Sequence, residues 1–248
     1  MIFSTEPADW KDLQNKVGEI LRDCGLSVEI EKMITSVRGK IEVDVFAKEI
    51  VNKRDNVIII ECKYWNNPIP QTVIHSFRTV IADIGGNIGY IISKKGFQRG
   101  SYDAVGFSNI KLLKWEEFQE LFEEQWCENY LSKYIEDHWS GLITYTEPLV
   151  PKWIHKLEGE LFEEYKIIRN KYEELGWVLL YLKSPARIFS KLPPPQLPLG
   201  KDCEYGNIPE ELKMVKGYKE MIKALHKYCD PALEEYNKLK RKAERKNA

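Results

Sequence analysis

A glutamate and a lysine lie two positions apart at the end of a strongly apolar segment, VIIIECKYW, residues 57–65. Because side chains alternate across a β-strand, Glu61 and Lys63 are expected on one face, together with Val57 and Ile59. An acid and a base on the same side of such a strand either form a solvated ion pair or serve a site that needs both charges.

The preceding apolar segment, IEVDVFA at residues 41–47, contributes further carboxylates. Alternation predicts that Glu42, Asp44 and Phe46 share one face of this strand. An aspartate in mid-strand is disfavoured by β-propensity and by desolvation unless something binds it. Asp44 and Glu61 are 17 positions apart, which leaves room for a turn that brings the two strands side by side.

Two carboxylates beside a lysine at adjoining strand ends predict a site for a hard divalent cation. Carboxylate oxygens suit Mg²⁺ or Mn²⁺, and the predicted ligands are Asp44 and Glu61. Lys63 would hold or help to deprotonate a water and offset the charge that develops on a phosphate. This is the chemistry of phosphodiester hydrolysis. Glu42 is either a further metal contact or an exposed strand residue.

The elements around these residues predict an α/β domain. Apolar residues recur at helical spacing in two segments, and shorter β-branched runs alternate or are continuously apolar. A strand, a helix and a strand in this order imply a parallel pair with a right-handed crossover. The predicted helices are 9–24 and 73–84, the latter ended by Gly85-Gly86, and the predicted strands are 27–34, 40–47, 57–63, 88–92 and 110–113.

Other polar residues lie where a substrate could reach them. Ser93 and Lys94 follow a buried strand, where parallel sheets place their active sites, so this loop either binds phosphate or is a solvated turn. Gln71, His75 and Arg78 lie off the apolar stripe of the second helix. We interpret these three as the polar face of the helix, with a contact to the site or to a substrate backbone as the alternative.

The combined order of motifs resembles the PD-(D/E)XK nuclease superfamily. Within it, IECKYWNNPIPQTVIHSFRTVIADIGGNIGYIISKKGFQRGSYDAV, residues 60–105, is similar to the Mrr-type restriction endonucleases. In those proteins a Cys-Lys follows the catalytic acid, a helix ends in a small-residue turn, and a strand leads to a loop with Gly-Phe. The resemblance covers about residues 9–113 and implies a restriction-endonuclease-like mixed sheet flanked by helices.

The same resemblance implies roles for individual residues. Asp44 and Glu61 would be metal ligands, and Lys63 would orient the attacking water. Gln14 stands where the family often carries a glutamate that assists the metal. The family's G-D-x-G-x-D loop is replaced by GKIEVD at residues 39–44, which is closer to the G-x-[IV]-D of related nucleases.

From about residue 114 the sequence becomes charged and aromatic, with a helical period. We therefore predict a nuclease domain at 1–114 and a mainly α-helical domain at 115–248. A proline-rich connector, KLPPPQLPLG, spans residues 191–200. The segment 238–246 is a basic tail with six Lys or Arg residues and one Glu. It is either a frayed soluble end or a phosphate contact.

These features predict a metal-dependent deoxyribonuclease, for which we expect a role in microbial defence against foreign DNA. Double-strand cleavage needs two sites, which favours a homodimer, or a partner protein bound through the C-terminal domain. The alternatives are a structure-specific nuclease of repair or DNA junctions, and a catalytically silent module that binds nucleic acid or protein.

Composition excludes several other classes of protein. No apolar run reaches 18 residues and the N-terminus lacks the pattern of a signal peptide, so we expect a cytoplasmic protein without a membrane span. The five cysteines are scattered and none forms a C-x-x-C motif. We therefore expect reduced, buried thiols rather than a structural zinc site.

Overall fold

A computed structural model describes residues 1–183, 192–200 and 208–246. The chain divides into two compact units, Thr5–Trp126 and a helical unit of Met1–Ser4 with Cys127–Ala248. We refer to them as the N-terminal unit and the helical unit. This division falls beyond the boundary that we predicted at residue 114.

The reason for the later boundary is the helix Trp115–Trp126, whose apolar face packs on the sheet of the N-terminal unit. The rings of Phe118 and Phe122 both contact the ring of Tyr90 edge-on, with centroids 6.4 and 6.1 Å away. Burying three aromatic rings against one another ties this helix to the sheet.

The N-terminal unit is a mixed α/β structure, as the sequence predicts. Its five strands follow one another in chain order across a single sheet. The first three strands pair antiparallel, and the last two add parallel to the third, so the predicted parallel pair is confirmed. The elements are α1 (Trp10–Asp23), β1 (Ser27–Ser36), β2 (Gly39–Val51), β3 (Arg54–Lys63), α2 (Gln71–Ile84), β4 (Ile88–Ser93), α3 (Arg99–Ala104), β5 (Ile110–Lys114) and α4 (Trp115–Trp126).

Helix α2 covers one face of this sheet. Ile74, Phe77 and Ile81 recur at helical spacing, are buried, and join a core cluster with Ile59 of β3. The helix ends where Gly85 takes a left-handed conformation (φ 75°), which a glycine adopts without steric strain. The apolar stripe and its glycine stop therefore fix the position of α2 over the end of β3.

The regular alternation predicted for β2 is wrong at Asp44. Ile41 and Val43 pack in the same core cluster as Phe46, on the α2 side of the sheet, although strict alternation would separate them. On the neighbouring strand β1, the residue that faces Asp44 is Glu31, which has a φ of 53°. Both strands are therefore locally distorted at this aspartate.

The helical unit is built mainly from three longer helices, as expected for the C-terminal half. The element η1 (Cys127–Leu131) is a short π-helical turn that leads into α5. Its helices are α5 (Ser132–Thr146), the short 3₁₀ turn η2 (Ile154–Lys156), α6 (Glu160–Lys183), α7 (Glu210–Met214) and α8 (Tyr218–Lys246).

The basic tail is part of α8, which is helical as far as Lys246. Residues 247–248 lie outside the described part of the chain, and phosphate binding by the tail stays a prediction. Residues 192–200 of the proline-rich connector contain neither helix nor strand, whereas residue 191 lies outside the description. No helix among the described residues is long and apolar enough to cross a membrane.

Candidate active site

The pairing of β2 with β3 brings the two predicted carboxylates together. The antiparallel ladder ends at the pair Val45–Ile60, and one further step in that register places Asp44 opposite Glu61. At this point the N–H of Cys62 donates to Oδ2 of Asp44 at 2.7 Å. The aspartate side chain thus satisfies a strand N–H, which explains how a carboxylate is accommodated in mid-strand.

Glu61 and Lys63 form an ion pair at the end of β3, in which Nζ of Lys63 contacts Oε1 of Glu61. Both side chains are largely buried, with 24% and 20% of their surface exposed. Burial raises the pKa of Glu61, the negative charge of Asp44 raises it further, and Lys63 opposes both effects. A buried carboxylate whose pKa is raised by a neighbouring carboxylate favours the binding of a cation beside it.

Cys62 lies between the two charged residues but does not belong to the site chemically. Its thiol is buried, and burial first, with the charges of Asp44 and Glu61 second, raises its pKa well above the usual value. A protonated thiol is a poor nucleophile and a poor metal ligand. Cys24, Cys62, Cys127 and Cys229 are likewise buried, whereas Cys203 lies outside the described residues.

A cleft of about 310 Å³ opens beside Glu61 and Lys63. We call it the α2 cleft, because most of its wall comes from that helix. Its lining residues are Glu61, Lys63, Trp65, Thr72, Val73, Ser76, Phe77 and Val80. The cleft therefore joins the two charged residues of β3 to a mostly apolar surface.

The loop after β4 is shaped by the residues that we predicted as phosphate contacts. Ser93 is buried, lies beside Lys63 in the parallel register, and donates its hydroxyl hydrogen to the carbonyl of Gly96 at 2.9 Å. The ammonium of Lys94 lies 3.9 Å from the centroid of the Tyr64 ring. Ser93 thus stabilises the turn, and phosphate binding by this loop stays a prediction.

Two of the other candidates lie away from the cleft. Glu42 is exposed and pairs with Met33 of β1. Gln71 is exposed at the start of α2, and its side-chain oxygen lies against Gly100 of α3. The structure therefore brings Asp44, Glu61 and Lys63 together, without Glu42 or Gln71.

Gln14, which stands at the position of a family glutamate, is buried in α1. Its side-chain oxygen has no hydrogen-bond partner within the described residues. A buried amide oxygen left in this state lowers the stability of the fold. At the position aligned with the family glutamate, the chain therefore buries a neutral amide in place of a carboxylate.

The donor set fits Mg²⁺ or Mn²⁺ better than a metal that needs a closed protein cage. Within residues 1–183, 192–200 and 208–246, no group of three or more His, Cys, Asp or Glu side chains is arranged to hold a metal. Mg²⁺ is usually bound through one or two carboxylates, with water and substrate phosphate as the remaining ligands. Asp44 and Glu61 meet that requirement, whereas a structural zinc ion would need four protein ligands.

Sequence reasoning missed one aromatic residue of the site, Trp65. It lies two positions after Lys63 and lines the α2 cleft with 44% of its surface exposed. The i, i+2 spacing that relates Glu61 to Lys63 extends to Trp65, so alternation was the signal that could have found it.

The comparison with protein-family models agrees with the resemblance seen in the sequence. Residues 6–122 match the Mrr_cat family model, described as restriction endonuclease. A search of curated proteins finds no match. Among solved structures, the chain is similar to a protein of unknown function, AF1548, at 17% identity and a TM-score of 0.38, over 74% of this chain and 99% of that one.

A second similar structure is the DNA modification-dependent restriction endonuclease AspBHI, at 11% identity and a TM-score of 0.24. That similarity covers 48% of this chain and 38% of AspBHI. The family match begins and ends within four residues or so of the N-terminal unit's own limits. Residues 6–122, just under half of the chain, are therefore similar to the catalytic domain of Mrr-type restriction endonucleases.

Proposed function

We propose that this protein is an endonuclease that hydrolyses phosphodiester bonds in DNA with the help of Mg²⁺ or Mn²⁺. The family match of residues 6–122 supports an endonuclease that acts on DNA. The observation that carries the metal-dependent mechanism is the convergence of three side chains at the end of the β2–β3 ladder. Asp44 is anchored on the Cys62 N–H there, next to the ion pair of Glu61 and Lys63.

The contacts of the three residues suit them to different catalytic roles. Asp44 and Glu61 would hold the divalent ion, which when bound lowers the pKa of a water and offsets negative charge on the phosphate. The hydrogen bond from Cys62 fixes the Asp44 carboxylate, so its orientation does not depend on the ion. Lys63, held by Glu61, would orient the attacking water and stabilise charge on the phosphate oxygens.

The setting that we propose is microbial defence against foreign DNA. The helical unit would supply activation, target choice or dimerisation, or would bind a partner protein. A cut through both strands needs two active sites, which favours a homodimer. The two alternatives are a nuclease specific for DNA junctions or repair intermediates and a silent module that binds DNA without cleaving it.

The test is a digestion of supercoiled plasmid with Mg²⁺, Mn²⁺ or EDTA, by the wild-type protein and Lys63→Ala. Lys48→Ala is the matched control, because Lys48 is an exposed lysine of β2. We expect metal-dependent cleavage by wild type and Lys48→Ala, and a loss of at least about 100-fold in Lys63→Ala. Cleavage that survives both EDTA and the Lys63 substitution would place the chemistry elsewhere.

Two comparisons separate the alternatives. A junction nuclease would digest a four-way junction much faster than linear duplex, whereas the proposed enzyme would digest linear duplex. A silent binding module would shift DNA in a gel equally well with EDTA present and would leave every strand intact.

A further inference from the structure

The α2 cleft is poorly suited to a phosphate backbone, although it adjoins the proposed catalytic residues. Phosphates are bound by cationic side chains, hydroxyls and backbone N–H groups. Lys63 is the cation among the residues that line the cleft in the described chain, and it is already paired with Glu61. The remaining wall is largely aliphatic and aromatic, so the cleft suits an apolar, flat part of a substrate.

Trp65 provides a flat surface at the rim of this cleft. Its side chain is 44% exposed, which leaves a large apolar ring in contact with solvent. Nζ of Lys63 lies 5.7 Å from the centroid of the ring, within the range of a cation–π interaction. The indole is therefore adjacent to the lysine that would act at the scissile phosphate.

Another part of the wall comes from one stripe of α2. Val73, Phe77 and Val80 are spaced by four and three residues and so line the same side of the helix. Two hydroxyl residues lie next to them, and the hydroxyl of Ser76 donates to the carbonyl of Thr72 at 3.1 Å. An apolar wall of this kind can contact the face of any base, but it makes few hydrogen bonds to the polar edges that distinguish one base from another.

From this arrangement we infer that the α2 cleft receives a nucleobase that has left the DNA stack beside the cleaved phosphate, with Trp65 as its stacking partner. The inference rests on the proposed function and narrows its substrate class. Extruding a base from a duplex requires energy, and the energy required is smallest for a mismatched or single-stranded base. The enzyme should therefore cleave fully paired linear duplex, and should cleave it faster where an unpaired base lies next to the cut, with little dependence on which base it is.

The first test compares cleavage rates on a matched duplex and on the same duplex with one mismatch. Wild type should cut the mismatched duplex faster. Trp65→Ala should lower the rate on the mismatched duplex by about 5- to 100-fold, which is the effect of losing one stacked base. Trp65→Phe should retain most of the wild-type rate on that duplex. Trp10→Ala is the matched control, because Trp10 is 55% exposed and Nζ of Lys11 lies 5.4 Å from its ring.

The second test does not depend on activity. A duplex with 5-iododeoxyuridine at the unpaired position is irradiated with full-length protein in Ca²⁺, and the crosslinked residue is identified by mass spectrometry. We expect a crosslink to Trp65 that disappears in Trp65→Ala and persists in Trp10→Ala. A crosslink confined to other residues would overturn the inference.

The two hypotheses fail in different ways. If wild-type protein shows no metal-dependent cleavage of any substrate, the proposed function is wrong. If wild type cleaves matched and mismatched DNA equally, and Trp65→Ala cleaves both at the wild-type rate, the base-binding role of the α2 cleft is wrong and the proposed function stands.

Discussion

The substitution Glu61→Gln should abolish cleavage and yet stabilise the N-terminal unit when no metal is present. The amide keeps the shape of the side chain and can still accept a hydrogen bond from Lys63, but it removes one of the two proposed metal ligands. It also removes a buried negative charge that lies near Asp44. Catalytic sites commonly reduce the stability of the fold that carries them.

Three effects set the size of this change. Burial and the charge of Asp44 disfavour ionised Glu61, and the attraction to Lys63 favours it. A partly exposed ion pair contributes about 0–1 kcal/mol, and the raised pKa of Glu61 indicates that the unfavourable effects are larger. We expect Glu61→Gln to raise the free energy of unfolding by about 0.5–2 kcal/mol in EDTA, in the range of other stabilising active-site changes.

The pH dependence of this gain has a defined sign. Because the pKa of Glu61 is higher in the folded than in the unfolded state, its ionisation destabilises the wild-type fold as pH rises through the folded pKa. Below the unfolded value, near 4.5, both states are protonated and this penalty is absent. The advantage of Glu61→Gln should therefore be small near pH 4 and should grow as pH rises through the pKa of Glu61 in the folded state.

Calorimetry of the full chain in EDTA and in Mg²⁺ measures these changes. Metal at about 100 times its dissociation constant should stabilise wild type by about 2.7 kcal/mol, and should leave Glu61→Gln almost unchanged. The order of stability would then reverse on adding Mg²⁺. A variant that is less stable than wild type in EDTA, or that gains as much from Mg²⁺, would refute this reasoning.

Two further predictions concern the helical unit. A Cβ added at Gly176 of α6 would lie 2.8 Å from Cβ of Thr146 in α5, so Gly176→Ala should destabilise the protein by about 1–3 kcal/mol in denaturant titrations; an unchanged midpoint would contradict the close approach of α5 and α6. Nε1 of the buried Trp139 donates to Oδ1 of Asp230 at 2.7 Å. Burial opposes ionisation of Asp230, but hydrogen bonds from Trp139 and His226 outweigh it and lower its pKa. Trp139→Phe should lose about 1–3 kcal/mol at pH 7, and part of this loss should vanish as pH falls below about 4; a loss that is independent of pH would contradict the role of the hydrogen bond.

Local periodicity was sufficient to predict the parts of the site that lie on regular elements. Alternation along β3 predicted that Glu61 and Lys63 share one side, and they form an ion pair there. The helical stripe and the glycine stop predicted α2, whose residues line the cleft. In both cases one face of the element is buried, so the pattern of apolar residues determines which side chains remain available for the site.

Periodicity failed where a side chain replaces a backbone partner. The Asp44 carboxylate accepts a hydrogen bond from the Cys62 N–H, so the backbone ladder ends there and the alternation of β2 changes at that residue. A period-two pattern carries no information about such a break, and it wrongly placed Val43 on the side opposite Phe46. For Glu42 the pattern allowed either a metal contact or an exposed strand residue, and the structure places it exposed opposite Met33 of β1.

Contacts between distant parts of the chain could not be predicted from the sequence pattern either. Helix α4 belongs to the N-terminal unit because Phe118 and Phe122 pack on Tyr90, although its charged composition resembles that of the helices that follow. Trp65 lines the α2 cleft together with residues of α2, so the cleft exists only where that helix packs. Phe118 and Tyr90 are 28 positions apart in the sequence, so no local pattern indicates their contact. Alternation predicts the side on which Trp65 lies, but it does not predict the cleft that Trp65 lines.

Binding of Mn²⁺, measured by electron paramagnetic resonance, tests the central claim most directly. Wild-type protein should bind one ion per N-terminal unit, and Asp44→Asn should lose that site. Glu42→Gln is the matched control, because Glu42 lies two residues away on the same strand and is exposed; it should bind as wild type does. Equal binding by wild type and Asp44→Asn would contradict a shared metal site at Asp44 and Glu61.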